Sequence, residues 1–109
     1  MENYVKAKVN NGAGGVSDFK TKIIEGEKDK SITWNETFSV PLRPNNGAQI
    51  EFHVLDEDMT SDEICGYGFF RLDSCGAFNS SYPQKYNIRL LREKTEEPAG
   101  SLHISTRFV

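Results

Sequence analysis

The residues best suited to bind a ligand are acidic side chains crowded into residues 56–63. Five of these eight residues are carboxylates: Asp56, Glu57, Asp58, Asp62 and Glu63. No lysine or arginine lies between Arg43 and Arg71, so no neighbour in the sequence neutralises them. Such crowded charges repel one another unless water screens them or a cation binds. Calcium suits them because it takes about six to eight oxygen ligands in flexible geometry. A solvated acidic loop is the alternative, since charge runs usually face water.

The elements that must position this acidic turn show a hydrophobic period of two. Apolar and polar residues alternate along residues 5–9, 19–23, 50–54, 86–90 and 102–104. This alternation predicts strands with one face on a core and one in water. Residues 33–42 and 64–72 are rich in aromatic and β-branched residues and predict two further strands. Turn signals fall at residues 10–17, 25–30, 44–47, 56–63 and 96–100, and no segment predicts an amphipathic helix. Six or seven short strands at this spacing predict an antiparallel sandwich or barrel.

One residue conflicts with the alternation of the predicted strand at residues 33–42. Glu36 shares the parity of Trp34, Phe38 and Val40, which would place its carboxylate on the apolar face. An unpaired carboxylate there would be costly. Either a bulge turns the side chain away or the carboxylate has a partner, and we predict the bulge.

Composition limits the remaining classes of function. A chain of 109 residues is the size of one domain, so we assign residues 1–109 to a single unit. The net charge of −3 argues against nucleic-acid binding. The polar N-terminus lacks a secretory pattern, and we expect a cytoplasmic protein. Cys65 and Cys75 show no zinc spacing, and we expect free thiols, with Cys65 acting as a small apolar residue in a strand. The sequence shows no nucleophile–base pair, so we do not expect an enzyme.

Several motifs in order along the chain resemble the C2 domain family. ENYVK at residues 2–6 is similar to the family's DPYVK, and WNETF at residues 34–38 resembles its WNExF strand. FHVLDED at residues 52–58 and SDEICG at residues 61–66 resemble its strand, calcium loop and closing IxG. GSLHI at residues 100–104 is similar to the closing strand. Together these motifs cover most of the chain.

This resemblance implies an all-β, antiparallel Greek-key β-sandwich that binds Ca²⁺ at the acidic turn. The oxygen donors it implies are the side chains of Asp56, Asp58 and Glu63, with Asp62 as the neighbouring alternative, the backbone carbonyl of Glu57, and Glu2 in place of the family's aspartate. The function implied is calcium-dependent binding to anionic phospholipid membranes, reversible and non-enzymatic. The alternative is a calcium-independent protein-interaction domain with a degraded calcium site.

Two further features bear on partners. Lys6, Lys8, Lys20 and Lys22 have the outward parity of two strands, the place where C2 domains often bind phosphoinositide head groups. Ordinary solvated lysines are the alternative. The family's first strand and first calcium loop have no counterpart before Tyr4, so we expect an open sheet edge. A protein partner or a second copy of the chain would cover that edge.

Overall fold

The structure, a computed structural model, describes residues 2–10, 16–26, 32–39, 49–57, 63–71 and 84–106, and all of their regular structure is β-strand. The strands are β1 (Glu2–Asn10), β2 (Val16–Lys20), β3 (Ile24–Glu25), β4 (Gln49–Asp56), β5 (Glu63–Arg71), β6 (Gln84–Leu91) and β7 (Pro98–Thr106). Every pairing is antiparallel, in the order β2-β1-β4-β5-β6-β7, with β3 also beside β1. Within these residues no helix is long and apolar enough to cross a membrane.

The centre of the sheet is the pair β1 and β4, which lie side by side along their whole length. Alternate residues face the core, as the sequence predicts: Val5, Ala7 and Val9 are buried in β1, and Ile50 and Phe52 in β4. Although β4 follows β2 and β3 in sequence, it lies on the other side of β1. This crossover is the Greek-key connection of the antiparallel β-sandwich.

The sandwich closes where β6 meets β5. Only one residue pair, Tyr67 with Leu91, joins these strands in the described ladder. The backbone of β6 also passes close to Gly68, where an added Cβ would lie 2.7 Å from the carbonyl oxygen of Arg89. Buried side chains of β6 and β7 join the core formed by β1, β4 and β5. Glycine at position 68 therefore permits the close approach of β6 to β5.

The predicted strand at residues 19–23 is interrupted. β2 ends at Lys20, and the ladder with β1 resumes at Ile24 after a shift of one residue. Thr21 fills the break: its N–H donates to the carbonyl oxygen of Val5 at 2.9 Å, and its Oγ1 accepts from the Val5 N–H at 2.9 Å. The side-chain hydroxyl thus replaces a backbone acceptor, and the next residues leave the alternation. Ile23 is accordingly 46% exposed.

The strand predicted at residues 33–42 is wrong for its described part, because residues 33–39 contain no strand; residues 40–42 lie outside the described residues. Asn35 has a φ of 51°, a left-handed conformation that breaks an extended run. Side-chain contacts hold this segment instead of a ladder. The indole N–H of Trp34 donates to the carbonyl oxygen of Asn3 at 3.2 Å, and Trp34 packs against the core.

The bulge predicted at Glu36 is also wrong, because the carboxylate has a partner. Its Oε2 accepts a hydrogen bond from the backbone N–H of Lys22 at 2.7 Å. Phe38 stacks on Phe19 with ring centroids 4.3 Å apart. Glu36 and Phe38 therefore attach this segment to β2 and to the break that follows it.

The turn between β6 and β7 comes earlier than predicted. The sequence places it at residues 96–100, but β7 already begins at Pro98. The N–H of Arg92 donates to the carbonyl oxygen of Glu97 at 2.8 Å and closes the hairpin, with Glu96 at a φ of 57°. Gly100 has a φ of 114° and follows a register shift in the ladder. Glycine is needed at this irregularity of β7, because a positive φ is a backbone conformation that most other residues rarely adopt.

Candidate functional site

Four strands bring acidic residues to one end of the sheet. The ladders pair Asn3 with Asp56, Asp56 with Glu63, and Glu2 with Glu25. Directly paired residues on antiparallel strands have Cα atoms about 5 Å apart. We call this region, made of Glu2, Glu25, Asp56 and Glu57 with the backbone of Glu63, the acidic end.

Backbone contacts connect the acidic end across strands. The N–H of Glu57 donates to the carbonyl oxygen of Glu2 at 2.8 Å, which ties the start of β1 to the turn after β4. Asp56 is half-buried, whereas Glu2, Glu25 and Glu57 are exposed. Hydrophobic alternation along β1 and β4 fixes this arrangement, because it sets the register that ends both strands here.

The structure brings together part of the ligand set that the sequence predicts. Glu2, Asp56 and Glu57 lie at the acidic end, and Glu63 begins the strand beside Asp56. Asp58 and Asp62 lie outside the described residues. Within the described stretches, no three carboxylate, histidine or cysteine residues form a group that could hold a metal ion. The donor types present, carboxylate and carbonyl oxygens, are those that calcium prefers.

Glu25 joins the acidic end although the sequence did not single it out. A glutamate at the start of a predicted turn is what an ordinary surface position would also have, so the sequence offers no reason to select it. Pairing with Glu2 across β1 and β3 is what places it there. The break at Thr21 shifts the register by one residue, and sequence alternation gives no sign of that shift.

Asn3 is the second residue that the sequence did not reveal as part of the site. It is 5% exposed, and its Nδ2 donates to the carbonyl oxygen of Leu55 at 3.2 Å. The same nitrogen lies 3.9 Å from Sγ of Cys65. The usable signal was parity, because Asn3 is in line with the buried apolar residues of β1. Cys65 lies in β5 as expected, but its side chain is exposed, so the expected apolar role for it is wrong.

The four lysines predicted to form a basic strip, Lys6, Lys8, Lys20 and Lys22, have different charged neighbours in the structure. Lys6 lies directly opposite Lys20, so these two cations are neighbours. Lys8 instead lies between Asp18 on β2 and Glu51 on β4. A pair of adjacent lysines attracts an anion more strongly than a lysine flanked by carboxylates. The basic part of this face is therefore centred on Lys6 and Lys20.

Lys22 lies apart from the strand ladder that holds the other three lysines. It follows the end of β2 at Lys20 and precedes the resumed pairing at Ile24. Its side chain is exposed and its backbone N–H donates to Glu36. The outward parity that the sequence assigned to it therefore does not extend from β2.

The outer face of β4 and β5 adds an aromatic and acidic region beside the lysines. A cleft of 180 Å³ is lined by Glu51, His53, Ile64, Tyr67 and Glu93. Nε2 of His53 lies 3.2 Å from Oε1 of Glu51. Next to this cleft, the ring of Tyr67 meets that of Phe69 edge-on, and Phe69 is 48% exposed. This face thus offers both charged and apolar contact.

Comparison with known families supports the antiparallel all-β fold. The model of the C2 domain family matches residues 1–88, which is most of the chain. The chain therefore belongs to the C2 domain family. C2 domains are membrane- or protein-interaction modules and generally lack catalysis. A search of curated proteins found no significant match.

Proposed function

We propose that this domain binds anionic phospholipid membranes in a calcium-dependent manner. The observation that carries the proposal is the acidic end, where β1, β3, β4 and β5 converge on Glu2, Glu25, Asp56 and Glu57. The motif that resembles the family's calcium loop, residues 52–58, also reaches this end of the sheet. The stretch of sequence between Arg43 and Arg71 supplies no lysine or arginine to balance these charges.

Calcium would be held by carboxylate and carbonyl oxygens of the turn. Asp56, Asp58 and Glu63 are the proposed side-chain ligands, with Asp62 as the alternative to Glu63, and the Glu57 carbonyl and Glu2 as further oxygen donors. Calcium accepts such mixed oxygen sets and keeps coordination positions for outside ligands. Lipid phosphates would take those positions. Binding would reverse the negative sign of the acidic end, and an anionic membrane surface would then attract it.

The lysine face provides a second contact with the same membrane. Lys6 and Lys20 are adjacent cations on the outer face, Lys8 lies two residues further along β1, and Lys22 lies two residues beyond the end of β2. A phosphoinositide head group offers phosphates to such a pair. In this account the protein is cytoplasmic at rest and joins the membrane when calcium rises.

A second candidate is a calcium-independent protein-interaction domain. The exposed Phe69 and the neighbouring Tyr67 favour it, because exposed aromatic residues are enriched at protein interfaces. Among the described strands, β2 and β7 also form the two ends of the sheet, and strand edges can pair with another chain.

Co-sedimentation with vesicles separates the two candidates. Phosphatidylcholine vesicles with and without phosphatidylserine would be pelleted with the protein in calcium and in chelator. We expect pelleting only with phosphatidylserine and calcium, and loss of it in D56N. D18N makes the same chemical change on β2 and should still pellet. Wild-type protein that stays in the supernatant under every condition would contradict membrane binding and favour the protein-interaction domain.

A further inference from the structure

Asn3 is a buried polar residue in a row of apolar ones. It shares the inward face of β1 with Val5, Ala7 and Val9. Among the described residues, Asn3 is the one polar or charged residue that is buried. Burying an amide is unfavourable unless it forms hydrogen bonds. The partners of this amide therefore indicate what the residue does in the structure.

The amide of Asn3 reaches the bulge at the base of the acidic turn. Leu55 pairs with Ile64 and Val54 pairs with Gly66, which leaves Cys65 as the extra residue of β5. A bulge disrupts the local ladder and bends the strand that carries it. Nδ2 of Asn3 donates to the carbonyl oxygen of Leu55 at 3.2 Å and approaches Cys65, so one side chain contacts both strands of the bulge.

The backbone around Asn3 is fixed from two further directions. Its carbonyl oxygen accepts from the indole N–H of Trp34 at 3.2 Å. The carbonyl oxygen of the preceding residue, Glu2, accepts from the N–H of Glu57 at 2.8 Å. Hydrogen bonds from residues 2 and 3 thus reach the residues immediately before and after Asp56. Asp56 is held between them.

We infer that Asn3 is a positioning residue for Asp56: its amide links β1 to the bulge between β4 and β5 and so fixes where Asp56 lies. The consequence for calcium rests on the function proposed above. Residues that orient metal ligands without touching the metal typically contribute about 10- to 100-fold to affinity. The proline that the family usually has at this position has no side-chain donor, so the hydrogen bond from Asn3 to Leu55 is a feature of this chain.

The test compares N3A with V9A. Val9 is a fully buried residue at the far end of β1, so V9A destabilises the same strand through the core without touching the bulge. Calcium affinity would be measured by calorimetry, and exchange of the Glu57 amide hydrogen by nuclear magnetic resonance in chelator. We expect N3A to bind calcium at least about tenfold more weakly than wild type. V9A should melt at a lower temperature with its calcium affinity unchanged.

The amide exchange keeps the two proposals separable. In chelator, the Glu57 amide should exchange faster in N3A than in V9A, because only N3A releases the start of β1 from the turn. If wild-type protein binds no calcium, the membrane function fails, and this exchange still decides the role of Asn3. Equal exchange in N3A and V9A, or wild-type calcium affinity in N3A, would overturn the inference. Should N3A not fold, N3S takes its place with the same expected order.

Discussion

Substituting Gly68 with alanine tests how closely β6 approaches β5. The new Cβ would lie 2.7 Å from the carbonyl oxygen of Arg89 and 2.8 Å from Cγ2 of Ile88. One of these neighbours is backbone, so the contact is relieved only if β6 moves. Overpacking of this kind costs about 1–3 kcal/mol. Alanine also restricts the unfolded chain more than glycine, which offsets about 0.5–1 kcal/mol of the cost.

The expected net loss for G68A is therefore about 1–2 kcal/mol in the free energy of unfolding. For a domain of this size, such a loss lowers Tm by about 4–8 °C. Urea denaturation followed by tryptophan fluorescence would measure it, because Trp34 packs against the same core. The slope of the unfolding curve should stay unchanged, since the amount of surface exposed on unfolding is the same.

Two other glycines serve as controls. A Cβ on Gly66 would meet only side-chain atoms, the nearest at 3.2 Å, so G66A should cost less than G68A. Gly100 has free space but a φ of 114°, so G100A should be destabilised by backbone strain alone. If G68A is as stable as wild type, or G66A is the worse of the first pair, then β6 does not pass Gly68 as described.

Three further outcomes can be measured. A double-mutant cycle of F19A and F38A should give a coupling of about 1 kcal/mol from their stacked rings, and additive losses would refute that contact. K6A and K20A should each weaken binding to phosphoinositide vesicles about fivefold, because each lysine contributes about 1 kcal/mol. K8A should weaken this binding less, because Asp18 and Glu51 flank Lys8. Equal effects of the three substitutions would contradict this order. Light scattering should show self-association through a sheet edge, and a strict monomer at high concentration would contradict it.

Sequence alternation predicted the strands that form the core. Val5, Ala7 and Val9 face inward because every second residue of a strand points to the same side. The acidic end follows from that same alternation, because it sets the register in which Asp56 ends β4 beside the start of β1. The strands and part of the site were therefore predictable from local pattern.

The features that the sequence did not predict depend on single residues, most of them through a long-range contact. Asn35 interrupts a segment rich in strand-forming residues, and Glu36 finds its partner at a backbone N–H fourteen positions earlier in the chain. Glu25 reaches the acidic end only after the register shift at Thr21. The amide of Asn3 bonds a carbonyl on another strand. Periodicity carries no information about such contacts, because each depends on how distant strands meet.

Thermal unfolding in calcium tests the central claim most directly. With a Kd of about 10⁻⁴ M, the range for weak extracellular-type sites, about 2 mM calcium should stabilise the wild-type protein by about 2 kcal/mol and raise Tm by about 8 °C. D56N with D58N should abolish that rise and increase the calcium-free Tm slightly, because the substitutions relieve repulsion. D18N should retain the full calcium response. A wild-type protein that melts at the same temperature in calcium and in chelator would contradict the calcium site.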